Sequence, residues 1–271
     1  PGARDASSSP ASSLAYRLPV YGWLPVQFAL LLWGAREAAV GRAASSASTF
    51  GGLALSLGIV GAGGINAAHE LLHRAGRGER CAAAALLASV AYGHFAVEHA
   101  VGHHGRVGTA ADPATARLGE PFYAFLPRSV GGGFRSAWAI ARRRRRRSGR
   151  GGRPRAAHGV AASLVASAAL AAALGGAWGA RAVALWAAQA AVAVVILEKV
   201  NYMEHYGLRV GAHHSWEAPQ TLTNVLLFKL QRHADHHQHA GRRYQTLRAS
   251  PASPVLPAGY PTMALLCMVP P

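Results

Sequence analysis

Residues 49–73 read TFGGLALSLGIVGAGGINAAHELLH. The segment 49–68 carries no charge, and about 20 apolar residues are what a helix needs to cross a bilayer. The last five residues then place His69 and His73 at i and i+4, neighbours on one helix face. An apolar span that ends in paired imidazoles is the unit from which the rest of the chain can be read.

Three further segments share the apolar character. Residues 18–35 (LPVYGWLPVQFALLLWGA) carry no charge, and 156–180 and 182–197 contain only His158 among polar titratable groups. They predict two membrane hairpins. The first joins 18–35 to 49–68 through a short polar loop around Arg36, Glu37 and Arg42. The second joins 156–178 to 182–199, turned by GGAWGA at 175–180. The segment 81–97 (CAAAALLASVAYGHFAV) is nearly long enough to cross, but a crossing would separate the histidines at 69–73 from those at 99–104. If both serve one metal centre, 81–97 lies along the interface or dips in and returns. The fold class is therefore an all-α membrane protein of two transmembrane hairpins, with every histidine group on one side. Residues 1–17, beginning with an Ala/Ser/Pro-rich stretch, read as a disordered tail that lacks the basic-then-apolar layout of a signal peptide. Residues 18–271 read as one membrane-embedded domain.

Composition agrees. Of 271 residues 51% are hydrophobic and only 14% charged, against roughly 25% charged in soluble domains. The net charge of +17 is almost all arginine, with lysine only at 199 and 229. The run Arg142 to Arg147 would suit a nucleic-acid backbone in a soluble protein. Between membrane spans, arginine instead marks the cytoplasmic side and meets anionic headgroups. That reading excludes nucleic acid as the partner and puts the histidines on the cytoplasmic side. Two cysteines, Cys81 and Cys267, are too few for a disulfide framework or a cysteine-ligated iron site.

Nine of the fourteen histidines fall in four groups. HELLH supplies His69 and His73; EHAVGHH supplies His99, His103 and His104; NYMEHYG supplies His205; QRHADHH supplies His233, His236 and His237. Neutral imidazole is a good ligand for iron, copper and zinc. HELLH also matches the HExxH pattern of zinc proteases, but such a site needs about three protein ligands. Nine suit two metals with four or five imidazoles each. His94, His158, His213 and His214 read as isolated polar residues, and His239 as exposed or as supporting a ligand. Four acids adjoin candidate ligands: Glu70, Glu98, Glu204 and Asp235. Each is expected to orient the ring of another ligand; Glu70 and His73, three apart, are one such pair.

NAAHELLHR, EHAVGHH, NYMEHYGL and LQRHADHHQHAGRRYQTLR together resemble the integral-membrane alkane 1-monooxygenases, a non-haem di-iron branch of the fatty-acid-desaturase superfamily. VGTAADPATARLGEPFYAFLPRSV at 107–130, FRSAW at 134–138 and SPVLPAGYPTMALL near the end extend the likeness from about residue 50 onward. The resemblance implies two irons held by the same nine histidines. It also implies terminal hydroxylation of a medium- or long-chain alkane with dioxygen, using electrons from rubredoxin and its reductase. Fatty-acid desaturases and xylene-type monooxygenases are the nearest alternatives, followed by a metal-handling membrane protein without oxidase activity. The HxxxHH form of the second group and the separate NYMEHYG motif favour the alkane hydroxylase. The family has six spans, so the resemblance implies a further helical pair ahead of the two seen here.

Overall fold

A computed structural model describes residues 14–147, 159–209 and 215–271. The described residues form helices and loops, with a single isolated bridge between Glu217 and Val255. Helix α1 is Leu14–Val40, α2 Ala47–Leu72, α3 Arg77–Ser89, α4 Phe122–Arg147 and α5 Val160–His205. Helix α1 starts inside the tail expected to end at residue 17, because Leu14 and Tyr16 already continue its apolar pattern. His158, His213 and His214 lie outside the described residues.

Three helices are long and apolar enough to cross a membrane: α1, α2 and α5. Their outer faces expose Leu32, Trp33, Leu55, Ile59, Leu164 and Val165, a surface that only lipid suits. Helix α2 begins on a cap, with Ser46 Oγ accepting from Thr49 N at 3.2 Å. Its inner face is lined with glycine, where a side chain at Gly58 would meet Val192 and one at Gly61 would meet Val90 and Ala193. Lipid gives helices no hydrophobic reason to associate, so small residues that admit close approach hold the bundle together.

Helix α5 is 46 residues long but breaks at Gly179, which has φ 74° and ψ −171°. The chain reverses there. Ser167 Oγ donates to the carbonyl of Ala88 (3.2 Å), while Trp186 Nε1 and Gln189 Nε2 donate to that of Ser89 (2.8 and 2.9 Å). On a straight helix Ser167 and Gln189 would be about 33 Å apart. Gly179 thus turns the second expected hairpin, within the GGAWGA stretch.

The same three bonds settle the segment 81–97. Helix α3 enters the bundle, ends at Ser89, and has its last carbonyls satisfied by side chains of α5. The chain then returns through Ala91, which has positive φ, to the next histidine group. Gln27 of α1 also reaches Ser89 Oγ at 2.5 Å. The segment dips in and comes back, which irregular backbone can do only where protein satisfies its polar groups.

The C-terminal ends of α2 and α5 run past the apolar stretch and carry histidines on their last turns. Below them, Ile65, Leu71, Leu86, Leu87 and Phe228 pack α2 and α3 against the C-terminal region. Phe122, Phe125, Tyr202, Met203 and Tyr260 pack α4 and α5 against it from the other side.

Candidate metal centre

The four histidine groups arrive on four differently built segments. His69 lies on the last turn of α2 and His73 caps it. His205 ends α5. His233, His236 and His237 lie on the short helix His233–Gln238, where i, i+3 and i+4 share a face.

The segment Glu98–His103 is a π-helix, and its winding decides the third group. At 100° per residue an α-helix would put His104 about 140° round from His99. A π-helix closes on i+5 and is underwound, so residues four and five along fall on either side of the first. His99, His103 and His104 therefore all face inward.

The imidazoles converge in two sets. Ring nitrogens of His69, His73, His99 and His236 lie within 4.8 Å of one another, as do those of His103, His205, His233 and His237. His104 stands between, with Nε2 3.1 Å from Nε2 of both His99 and His236. Two nitrogens bound at about 2.1 Å and at right angles on one metal would be about 3.0 Å apart. The spacing puts His104 with the first set, giving five and four.

Several of these nitrogens have no hydrogen-bond partner among the described residues. Nε2 of His69, His73 and His103, and both ring nitrogens of His233 and His237, are buried without a hydrogen-bond partner among the described residues. Buried polar atoms are almost always partnered, so nitrogens that point at one another call for a cation between them. Their protonation suits one. Burial, reinforced by neighbouring imidazoles, pushes His99, His233, His236 and His237 well below the ordinary histidine range. Burial and Arg74 bring His73 to about 4, and burial with His73 brings His104 to about 3. All are neutral donors at pH 7.

The supporting acids differ from those expected. Asp112, in the loop after the π-helix, faces Nδ1 of His103 through Oδ2 at 2.9 Å and accepts from Thr115 Oγ1 at 2.7 Å. Burial alone would raise its pKa; His103 and Thr115 outweigh that and bring it to about 2. An ionised carboxylate there fixes the ring's tautomer. Nothing in the spacing of Asp112 marks it, and only the loop's return brings it to His103.

Of the four expected acids, Glu204 alone faces a candidate ligand, with Oε2 3.4 Å from His233 Nε2, while Tyr260 donates to its Oε1 at 2.5 Å. Glu70 does not meet His73. It pairs with Arg74 at 2.8 Å, and Arg74 also donates to the carbonyls of Gly241 and Arg242. A guanidinium one turn on is the stronger partner for a buried carboxylate. Glu98 pairs with Arg106 at 2.6 Å. Asp235 binds His239, Arg242 and the amide of Arg248, which ties the C-terminal loop and leaves the centre alone. His239 is half-exposed outside the cluster, and His94 packs between Tyr92 and Phe134.

Buried histidine sets at the ends of membrane helices define a class of membrane metalloprotein, and sequence comparison places the chain within it. Residues 46–265 match the fatty acid desaturase model, and the chain belongs to that family. It is 38% identical over 266 residues to the alkane 1-monooxygenase of Ectopseudomonas oleovorans, covering 94% of this chain and 66% of that protein. It is 40% identical over 233 residues to alkane 1-monooxygenase 2 of Alcanivorax borkumensis, covering 81% and 60%. It is also 27% identical over 283 residues to the xylene/toluene monooxygenase hydroxylase component of Pseudomonas putida, covering 99% and 74%. The chain thus spans just under two thirds of the length of the alkane 1-monooxygenases it matches.

Proposed function

We propose that this chain holds two irons and hydroxylates the terminal methyl of medium- or long-chain n-alkanes to primary alcohols, with dioxygen as co-substrate. The observation that carries the reading is the pair of converging imidazole sets, in which nitrogens of His69, His73, His103, His233 and His237 are buried with no hydrogen-bond partner among the described residues. His69, His73, His99, His104 and His236 would hold one iron; His103, His205, His233 and His237 would hold the other. An unactivated methyl group needs an oxidant stronger than any side chain, and the two metals would supply that redox chemistry.

The chain's own residues do the rest. Asp112 orients His103, and Glu204, held by Tyr260, faces His233. Phe95 stacks on His99 at 4.9 Å and helps keep water from the rings. An alkane offers no polar handle, so it must be positioned by shape, in a slot between the spans that opens to lipid. No cysteine pair can carry electrons within the chain. Rubredoxin with its reductase is the external donor that the resemblance to alkane 1-monooxygenases implies. The arginines of α4 favour an acidic donor of this kind and a cytoplasmic position for the centre.

Elemental analysis of detergent-purified protein, with products assayed from octane, hexadecane and a fatty acyl substrate, tests the reading. Two irons per chain, matching the two histidine sets, and a primary alcohol are expected. One zinc without iron would sink the di-iron centre, and an unsaturated acyl product would move the chain to the desaturase reaction.

A further inference from the structure

Beside the centre lies a cavity of about 20 Å³, lined by Tyr92, His94, Glu98, Ser129, Glu198 and Asn201 together with His99 and His103. A site of at least about 10–15 Å³ with two to four polar partners can hold a water. Glu198 is 1% exposed and lies on α5 two turns before His205. Its Oε1 accepts from Tyr92 Oη (2.8 Å) and Asn201 Nδ2 (3.2 Å). Oε2 of Glu198 and Oε2 of Glu98, which also lines the cavity, are buried and make no hydrogen bond of ordinary geometry among the described residues, and Ser129 lies beside the Glu198 carboxyl. Among the described residues no Lys or Arg forms an ion pair with Glu198, and a buried carboxyl group in a membrane bundle is costly unless it is used. Half-buried Pro113 and Ala114 also line the cavity, on the loop that carries Asp112.

The proposed reaction needs such a group. Alkane, dioxygen, two electrons and two protons give primary alcohol and one water: a C–H and the O–O bond break, a C–O bond forms, carbon is oxidised and dioxygen reduced. The external donor supplies the electrons. The protons must cross a region from which water is otherwise excluded, to the oxygen that leaves as water. We infer that this cavity holds the water through which those protons arrive, with Glu198 as the relay that passes them on and Tyr92 and Asn201 as the residues that position it. The inference rests on the hydroxylase reading above.

The test compares the full chain with Glu198→Gln, Glu198→Asp and Tyr92→Phe. The glutamine variant keeps an oxygen to accept from Tyr92 but carries no transferable proton. It should bind iron as the wild type does, while kcat falls about 100-fold, in the range typical of a lost proton-transfer group. The solvent deuterium isotope effect should rise, and reductant should be consumed with release of hydrogen peroxide. Glu198→Asp should recover part of kcat; Tyr92→Phe should lower it with iron content unchanged. Infrared spectra of the metal-free protein give a readout independent of turnover: a protonated-carboxyl band, shifted in D2O, should disappear in Glu198→Gln. Wild-type kcat with an unchanged isotope effect, loss of iron in Glu198→Gln, or absence of that band would each overturn the relay. A wild-type chain that binds iron but hydroxylates no alkane would overturn the hydroxylase reading instead, with the infrared band still deciding whether Glu198 holds a proton.

Discussion

At the scale of the residue, the nine imidazoles would not act as nine independent ligands. His236→Ala removes a nitrogen 3.1 Å from His104, and His237→Ala one from the second set; each should abolish hydroxylation and lower the metal content measured on the purified protein. Asp112→Asn keeps the fold of its loop but weakens the hold on His103, and activity or metal affinity should fall about 10–100-fold. Asp235→Asn should leave the metal content unchanged, because Asp235 ties His239, Arg242 and Arg248 and touches no ring of the centre. The titration of the rings gives a second expectation. His73 and His94 are both held near 4 by burial, below the ordinary 6.5, so between these values the unfolded chain binds more protons than the folded one. Stability of the metal-free protein therefore rises with pH through that window and is lost as pH falls from about 6.5 toward 4. Thermal melts of chelator-treated protein in detergent should show the decline; a melting temperature flat from pH 7 to 4 would contradict the neutral, buried rings.

At the scale of the element, two irregularities place the site, and each is testable. Gly179 has a backbone conformation that is nearly glycine-only, so Gly179→Ala should cost about 1–3 kcal/mol. It should appear as a lower melting temperature with unchanged metal content, since the turn is separated from His205 by about 39 Å of helix. The returning path of α3 predicts that single cysteines at Ala75 and Gly105, in a background without Cys81 and Cys267, react with a membrane-impermeant reagent from the same side. Opposite accessibility would mean that 81–97 crosses, and the three bonds that seat Ala88 and Ser89 would be wrong. The hydrophobic spans were readable from residue type alone, because helix length is set by bilayer thickness. The π-helix was not. EHAVGHH spells out three histidines, but nothing in those letters shows that the turn is underwound, and on an α-helix His104 would point away.

At the scale of the whole molecule, charge and electron supply meet. Helix α4 ends in exposed arginines, Arg142, Arg143, Arg145 and Arg146 among them, on a helix whose Phe134 and Ala137 pack against Val97, the residue before the π-helix. With alkane, dioxygen and NADH alone the purified chain should be silent, and rubredoxin with its reductase should start turnover. Raising salt should slow the encounter, since exposed charges are screened beyond about 8 Å at physiological ionic strength. Neutralising Arg142 to Arg147 should flatten that dependence; an unchanged salt response would move the docking face elsewhere. The sequence alone marked the apolar spans, the hairpin turn at 175–180, and nine histidines as candidates divided among four segments, because these depend on local composition and on spacing along one helix. The tertiary structure alone decided which histidines share a set, that Asp112 and not Glu70 or Asp235 steadies a ring, and that Glu198 faces a polar cavity. Those facts join residues far apart in the chain, as in the set that brings His69 to His236. No local pattern records which loop returns to which helix; only the packing of the folded chain fixes it.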